Sequence, residues 1–260
     1  MLPLFYLDNN MTEKTFYDLR IQFTTFLQYV LIVPVVYSFS LQVSPIWWIS
    51  AIFLSIVFAV YGFNIGIHHT FCHRTFKFPK FVEVFLMYIS TIAAGTSPIG
   101  WAINHGSHHK YTDTEFDPNS PSHLKWKSLF FCFHKTEKPD FIGIRHLYKD
   151  PWQKFFNSHI GYWFTVLSWP IAVSVIFGVN GFLFLWALPL FYSLFAALIF
   201  TLSHVGKSNE NGNRAMNSWF LHLVSLGDGD HEDHHTYWNH CGWLPEQCAK
   251  LIGGQRITKK

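Results

Sequence analysis

Four long runs without a charged residue constrain this chain more than any other feature. They cover residues 21–43, 46–67, 160–179 and 181–205 of a 260-residue sequence. A helix needs about 20 apolar residues to cross a bilayer, and each run is long enough. Only Ser44-Pro45 separates the first two runs, and only Asn180 separates the last two. Each pair therefore reads as a tight helical hairpin. Composition points the same way. Charged residues make up 13% of the chain, against about 25% in a typical soluble domain. Aromatic residues make up 19%, and Trp and Tyr favour membrane interfaces.

Charge placement suggests an orientation. All 19 Lys and Arg lie outside the runs: two before the first, eleven between the second and third, six after the fourth. Positive charge accumulates on the cytoplasmic side. The N-terminus, the central loop and the C-terminus are thus expected in the cytoplasm, as one domain over 1–260. Its multi-pass stem would carry a helical cap built from 68–159 and 206–260. A net charge of +3 calls for no nucleic-acid partner, since basic residues beside a bilayer are ordinary. A fifth apolar segment, 84–104, contains the helix-breaking stretch Gly95-Thr96-Ser97-Pro98. A single crossing there would separate the two histidine-rich stretches that flank it. It is read as re-entrant or as a buried cytoplasmic helix. Residues 1–20 do not have the pattern of a cleavable signal peptide. Cys72, Cys132, Cys241 and Cys248 occur singly. Without a C-x-x-C pair, neither a redox disulfide nor a thiolate zinc site is expected.

Nine of the 16 histidines fall in three short stretches beside the apolar runs. These are His68-His69-Thr70-Phe71-Cys72-His73, His105-Gly106-Ser107-His108-His109 and His231-Glu232-Asp233-His234-His235. Residues three and four apart share a helical face. His105, His108 and His109 can therefore point to one place, and so can His231, His234 and His235. In the first stretch His69 and His73 share an α-helical face, whereas His68 and His73 diverge by about 140°. Spacing alone favours His69 as the partner of His73. His204 closes the last run, where an ionisable side chain is a functional candidate. Neutral imidazole suits iron, zinc, copper and nickel. So many imidazoles exceed what one four-coordinate zinc can use, and two metal ions are expected. Asp113, Glu115, Asp117, Asp228, Asp230, Glu232 and Asp233 are candidates to hold the second ring nitrogens. The scattered histidines, His123, His134, His146, His159, His222 and His240, read as ordinary polar residues.

The three stretches resemble the histidine boxes of the membrane-bound fatty acid desaturases, H-x(4)-H, H-x-x-H-H and H-x-x-H-H. The likeness is greatest to the acyl-CoA (stearoyl-CoA type) branch. It runs from about Asn64 to His235 and includes Arg74 after the first box, Trp101 and Asp117-Pro118-Asn119 around the second, and His204 before the third. The resemblance implies an all-α membrane protein, with four transmembrane helices under a cytoplasmic cap that holds a non-haem di-iron centre. Its implied ligands are His68, His73, His105, His108, His109, His204, His231, His234 and His235. It favours His68 over His69. Further implications are a bent acyl tunnel, with Trp101 as a candidate lining residue, and O2-dependent formation of a cis double bond. The chain departs from the pattern at Gly106, Asp230, Glu232-Asp233 and Phe200, the last standing where an Asn is expected.

The sequence contains neither a G-x-G-x-x-G dinucleotide fingerprint nor a C-x-x-C-H haem attachment. Electrons are thus expected from an external donor: a ferredoxin, a rubredoxin, or cytochrome b5 with its reductase. Two other readings stay open at this level. A di-iron hydroxylase, or a desaturase of a non-fatty-acid lipid, would use the same ligands. A metal transporter is disfavoured, because its ligands should lie near the bilayer midplane on broken helices.

Overall fold

The computed structural model describes residues 5–7, 16–125, 128, 136–210 and 212–257. Cys132 and His134 lie outside them. The chain is predominantly helical. A short β-ribbon, β1 (Phe5–Leu7) with β2 (Phe16–Asp18), precedes it. The first apolar run forms α1 (Leu19–Val30) and α2 (Ile32–Ser38). These join almost without a break, since the Leu31 and Val35 N–H groups donate to Leu27 O and Leu31 O. After Ser38 the chain leaves helix. Pro45 then opens α3 (Pro45–Ile56) at the first helical position, where its missing N–H costs nothing. Ile46, Ile49, Ile52, Phe53 and Ile56 form an exposed apolar stripe at helical spacing along α3, the surface expected of a helix bathed in lipid.

Helix α3 continues directly into a π-helix (Val57–Cys72), and together they make one 28-residue apolar helix, Pro45–Cys72. The π-helix is almost wholly buried. Two glycines let its neighbour α4 (Lys80–Ala94) approach closely. A Cβ at Gly62 would lie 2.7 Å from the Ala93 methyl, and Gly66 meets Ser90 still more tightly. The Ser90 hydroxyl donates to Gly62 O at 2.7 Å. Helix α4 therefore descends antiparallel to the π-helix, away from the first histidine stretch. Gly95, with φ 61°, ends it in a left-handed cap. Ser97 caps α5 (Pro98–Lys110), accepting from the Gly100 N–H at 3.1 Å. The Thr24 hydroxyl and the Tyr162 phenol both donate to Gly95 O and pin the corner. The two helices are bent by 69°, and α5 climbs back to bring His105 beside His73.

Three short helices follow: α6 (Pro121–Leu124), α7 (Arg145–Lys149) and α8 (Pro151–Asn157). Asp150 caps α8 through the Trp152 and Gln153 N–H groups. The third and fourth apolar runs form α9 (His159–Phe182), a second π-helical turn (Leu183–Ala187), α10 (Leu188–Ile199) and a 3-10 turn (Phe200–His204). Within α9, Gly178 has φ 61° and ψ −146°, which no helix allows. The Trp169 indole N–H donates to Leu185 O at 2.8 Å across 16 residues, a stretch that spans about 24 Å in a straight helix. The chain therefore doubles back at Gly178, two residues before the break expected at Asn180. Only glycine adopts that φ/ψ pair without strain. Small elements close the molecule: α11 (Trp219–Ser225), α12 (His231–Thr236) and α13 (Trp243–Leu251). A two-residue ladder pairs β3 (Phe76–Lys77) with β4 (Gln255–Arg256). By length and composition, Pro45–Cys72 and His159–His204 are candidate membrane crossings, and the bent pair α4–α5 is a third if it counts as one span.

Candidate metal centre

All nine expected ligands meet in one place, drawn from the π-helix and its C-cap, α5, the 3-10 turn and α12. They sort into two groups in which one ring nitrogen per residue lies within 4.8 Å of every other. One holds His68, His73, His105, His109 and His234, and the other holds His108, His204, His231 and His235. Each H-x-x-H-H stretch thus divides between the groups, which binds the two together along α5 and α12.

The π-helix changes which histidines of the first stretch come together. The His73 N–H donates to His68 O at 3.0 Å, five residues back. With i→i+5 bonding, residues five apart return to one face, so His68 and His73 align where an α-helix would have aligned His69 with His73. His68 Nε2 lies 3.0 Å from His234 Nε2. The His69 ring instead donates from Nε2 to Asp228 Oδ1 at 3.2 Å. The reading from spacing assumed a regular α-helix; in the π-helix the His68 and His73 rings lie 4.8 Å apart and those of His69 and His73 6.1 Å, while His69 groups with His68 and Asp228.

The second ring nitrogens identify the tautomers. His68 Nδ1 pairs with Asp228 at 3.2 Å, His108 Nδ1 with Asp117 at 2.8 Å and His204 Nδ1 with Asp113 at 3.1 Å. His234 Nδ1 donates to His240 O at 3.2 Å, and His235 Nδ1 to the Thr112 hydroxyl at 3.2 Å. Each Nδ1 thus carries the proton, which leaves a bare lone pair on Nε2. Three of the seven candidate carboxylates, Asp113, Asp117 and Asp228, hold rings in this way. Thr112 and the His240 carbonyl carried no signal in the sequence, because a hydroxyl or a main-chain oxygen is found only by folding.

Ring nitrogens then face one another. His68 Nε2 and His234 Nε2 lie 3.0 Å apart, as do His204 Nε2 and His231 Nε2, and His105 Nε2 lies 3.0 Å from His73 Nε2 and 3.1 Å from His109 Nε2. One proton can bridge one such contact but cannot satisfy three nitrogens at a point. A cation satisfies them all. With metal–imidazole bonds of about 2.1 Å, two ligands at a right angle sit about 3.0 Å apart and tetrahedral ones about 3.4 Å. The observed spacing is within the range that ligands of a shared metal ion take.

Electrostatics prepares the rings for this. Burial is the main cause that holds His231, His234 and His235 well below the ordinary histidine value of 6.5, and neighbouring imidazoles add to it. They stay neutral, which is the ligating form. For Asp113 burial favours protonation. The His204 ring, the Arg214 N–H and the Ser120 hydroxyl outweigh it and bring the carboxyl to about 2. Asp228 is likewise held well below the carboxylate range, because His68 and His69 together overcome its burial.

An apolar pocket borders both histidine groups, lined by His68 and His105 of the five and by His108, His204 and His231 of the four. Its apolar wall comprises Phe63, Trp101, Ala197 and Phe200, and Asn104, Asn119 and Thr201 supply polar atoms. Trp101, the one expected lining residue, stacks on His105 with centroids 5.7 Å apart and meets the Phe63 edge at 4.9 Å. Phe200, the departure noted above, stacks on Phe63 at 6.4 Å and lies 5.6 Å from the His231 ring. It extends the apolar wall to the metal group.

Comparison with known proteins bears on this arrangement. The profile of the fatty acid desaturase family matches residues 16–241. Acyl-CoA 5-desaturase AL21 of Anemone leveillei is 26% identical over 202 residues, covering 74% of this chain and 61% of that protein. Icosanoyl-CoA 5-desaturase of Limnanthes douglasii is 28% identical over 203 residues, covering 74% and 56%. Delta-9 acyl-lipid desaturase 1 of Arabidopsis thaliana is 29% identical over 189 residues, covering 68% and 60%. The chain spans about three fifths of the length of these relatives. With nine histidines gathered in two groups, apolar helices of membrane length and a family profile that covers most of its length, the chain belongs to the fatty acid desaturase family.

Proposed function

We propose that the protein is a membrane-embedded desaturase that introduces a cis double bond into a fatty acyl chain, carried as an acyl-CoA or an acyl-lipid. The observation that carries this reading is the pair of histidine groups whose Nε2 atoms face one another at 3.0 Å beside an apolar cavity. The ligands would be His68, His73, His105, His109 and His234 for one iron and His108, His204, His231 and His235 for the other. When bound, two irons supply the means to reduce O2 with two external electrons and to remove two hydrogens from an unactivated chain. One chain, one O2, two electrons and two protons yield one alkene and two waters.

The residues do the rest. Asp113, Asp117 and Asp228 keep His204, His108 and His68 in the ligating tautomer and fix their ring planes. Phe63, Trp101, Ala197 and Phe200 would seat the chain in van der Waals contact and keep water away from the reacting carbons. Asn119 donates to Asn104 Oδ1 at 3.0 Å, and Asn104 to the Thr136 hydroxyl at 3.3 Å, a polar brace behind the cavity. The chain is read as one domain that crosses the membrane four times in two hairpins, with α4–α5 re-entrant. The termini and the metal centre face the cytoplasm. The descent of α4, the return of α5 and the reversal at Gly178 support that topology. The relatives include both acyl-CoA and acyl-lipid desaturases, so the carrier is left as either. A ferredoxin, a rubredoxin or cytochrome b5 with its reductase would supply electrons.

The test is expression in a host without its own desaturase, followed by lipid analysis. The expected product has lost two hydrogens relative to substrate, and His108→Ala abolishes it. A product that has gained one oxygen atom would point to the hydroxylase reading. Purified protein without iron would defeat both.

A further inference from the structure

We propose that Trp238 is the point at which electrons enter, and that the surface around it docks a small acidic one-electron carrier. This inference rests on the desaturase reading above and adds to it a route for electrons.

Of the five-histidine group only His109 is partly exposed, and Trp238 packs beside it. There a tight turn follows α12: the Tyr237 N–H donates to Asp233 O at 2.8 Å and the His240 N–H to Tyr237 O at 2.6 Å. The turn folds Trp238 back across two expected iron ligands. Its ring centroid lies 4.3 Å from His73 and 4.9 Å from His109, in edge-on contact with both. Yet Trp238 is 36% exposed. One aromatic side chain thus touches two ligands of one metal and also reaches solvent. Electron transfer weakens exponentially with the gap to be crossed, and a conjugated ring in van der Waals contact shortens that gap to the width of a side chain. Desaturation consumes two electrons. Two reduced carriers would each lose one, and the metal pair would gain both. Trp238 bridges the gap and is neither oxidised nor reduced, and no proton moves on it.

Charge around the ring selects the partner. Arg74 follows His73 and is exposed, and Lys77 is exposed on β3. Neither has a carboxylate partner among the described residues. The β3–β4 ladder places Arg256 opposite Phe76, and its Nη2 donates to Asn239 O at 3.0 Å, beside Trp238. The nearby Glu246 is already paired with Lys250 and Arg256. Arg74, Lys77 and Arg256 thus lie on the segments beside the exposed indole, and such cations attract an acidic partner and steer it.

The experiment mixes oxidised, iron-loaded protein anaerobically with reduced [2Fe–2S] ferredoxin and follows its reoxidation. Trp238→Leu is expected to slow transfer at least about tenfold, the scale set by losing a side chain packed on metal ligands, while Trp238→Phe keeps most of the rate. Lys77→Glu should slow transfer at low salt and converge on wild type at high salt, where charges are screened. Reduction by dithionite should be alike in all variants. Independently of turnover, iron loading should quench a component of tryptophan emission that Trp238→Phe lacks. An unchanged ferredoxin rate in Trp238→Leu at full iron occupancy overturns the entry point. An unchanged salt response in Lys77→Glu overturns the docking surface. Wild-type protein that holds no iron, or iron that dithionite does not reduce, overturns the desaturase reading and this inference together.

Discussion

The five-histidine and four-histidine groups share two helices yet face different worlds. The first is closed over by the π-helix on one side and by Trp238 on the other. Both border the apolar cavity, the first through His68 and His105 and the second through His108, His204 and His231, and Trp238 packs on the first. The same ligand chemistry is thus set in two environments, and what separates them is the partly exposed indole packed on His73 and His109. The lesson is that symmetry in sequence, two H-x-x-H-H stretches, need not give symmetry in role. The neighbours of each ring decide what reaches it.

Breaking the ligand sets should have the largest effect. His231→Ala is expected to remove the iron of the four-histidine group and to lower product formation more than about a hundredfold, beyond the usual loss for an outer partner. Elemental analysis should then find about half the wild-type iron. If both ions leave together, the two groups are a single cooperative unit and the contrast drawn above fails.

Removing an outer partner sharpens the comparison. Asp228→Asn disturbs His68 in the five-histidine group, whereas Asp113→Asn disturbs His204 in the other. Each should weaken iron retention about 10- to 100-fold, and chelator competition should show each mutation acting on one ion only. Equal loss of both ions in each variant would mean that the groups do not respond separately.

Acid should act on the metal-free protein through the same rings. The folded values of His231, His234 and His235 lie well below 6.5. Between that value and the folded ones the unfolded chain binds protons that the native rings refuse, so stability falls as pH drops below 6.5. Iron should steepen the fall, since protons then compete with bound metal as well. Thermal melts of metal-free protein that are flat from pH 7 to pH 5, the interval around the ordinary value, would contradict the burial argument.

Cavity and periphery give the smaller effects. Phe200→Ala should enlarge the space beside His231 and change which chain lengths are accepted. Its stability cost should be no more than about 3 kcal/mol, because Phe200 is only partly buried. Asp150→Ala removes the cap of α8 and should cost about 1 kcal/mol, with iron content unchanged. Iron loss in that variant would show that the remote helices also set the ligand geometry.

Much of this molecule was readable before folding. The uncharged runs foretold the hairpin reversal within two residues, since nothing but a helix satisfies its own backbone in lipid. The nine histidines were legible too, because three- and four-residue spacings on short helices leave few places for the rings to point. What the linear order could not supply was the partition of those rings into five and four, the placement of His68 beside His73, the three carboxylates that hold ring nitrogens among seven candidates, and the contact of Trp238 with His73 and His109. Spacing fixes directions only within one helix, and it presumes which kind of helix that is. Here a π-helix altered the periodicity where it mattered most. Which ring meets which depends on packing between elements far apart in the chain, held by close approaches at Gly62 and Gly66 and by a corner pinned at Gly95.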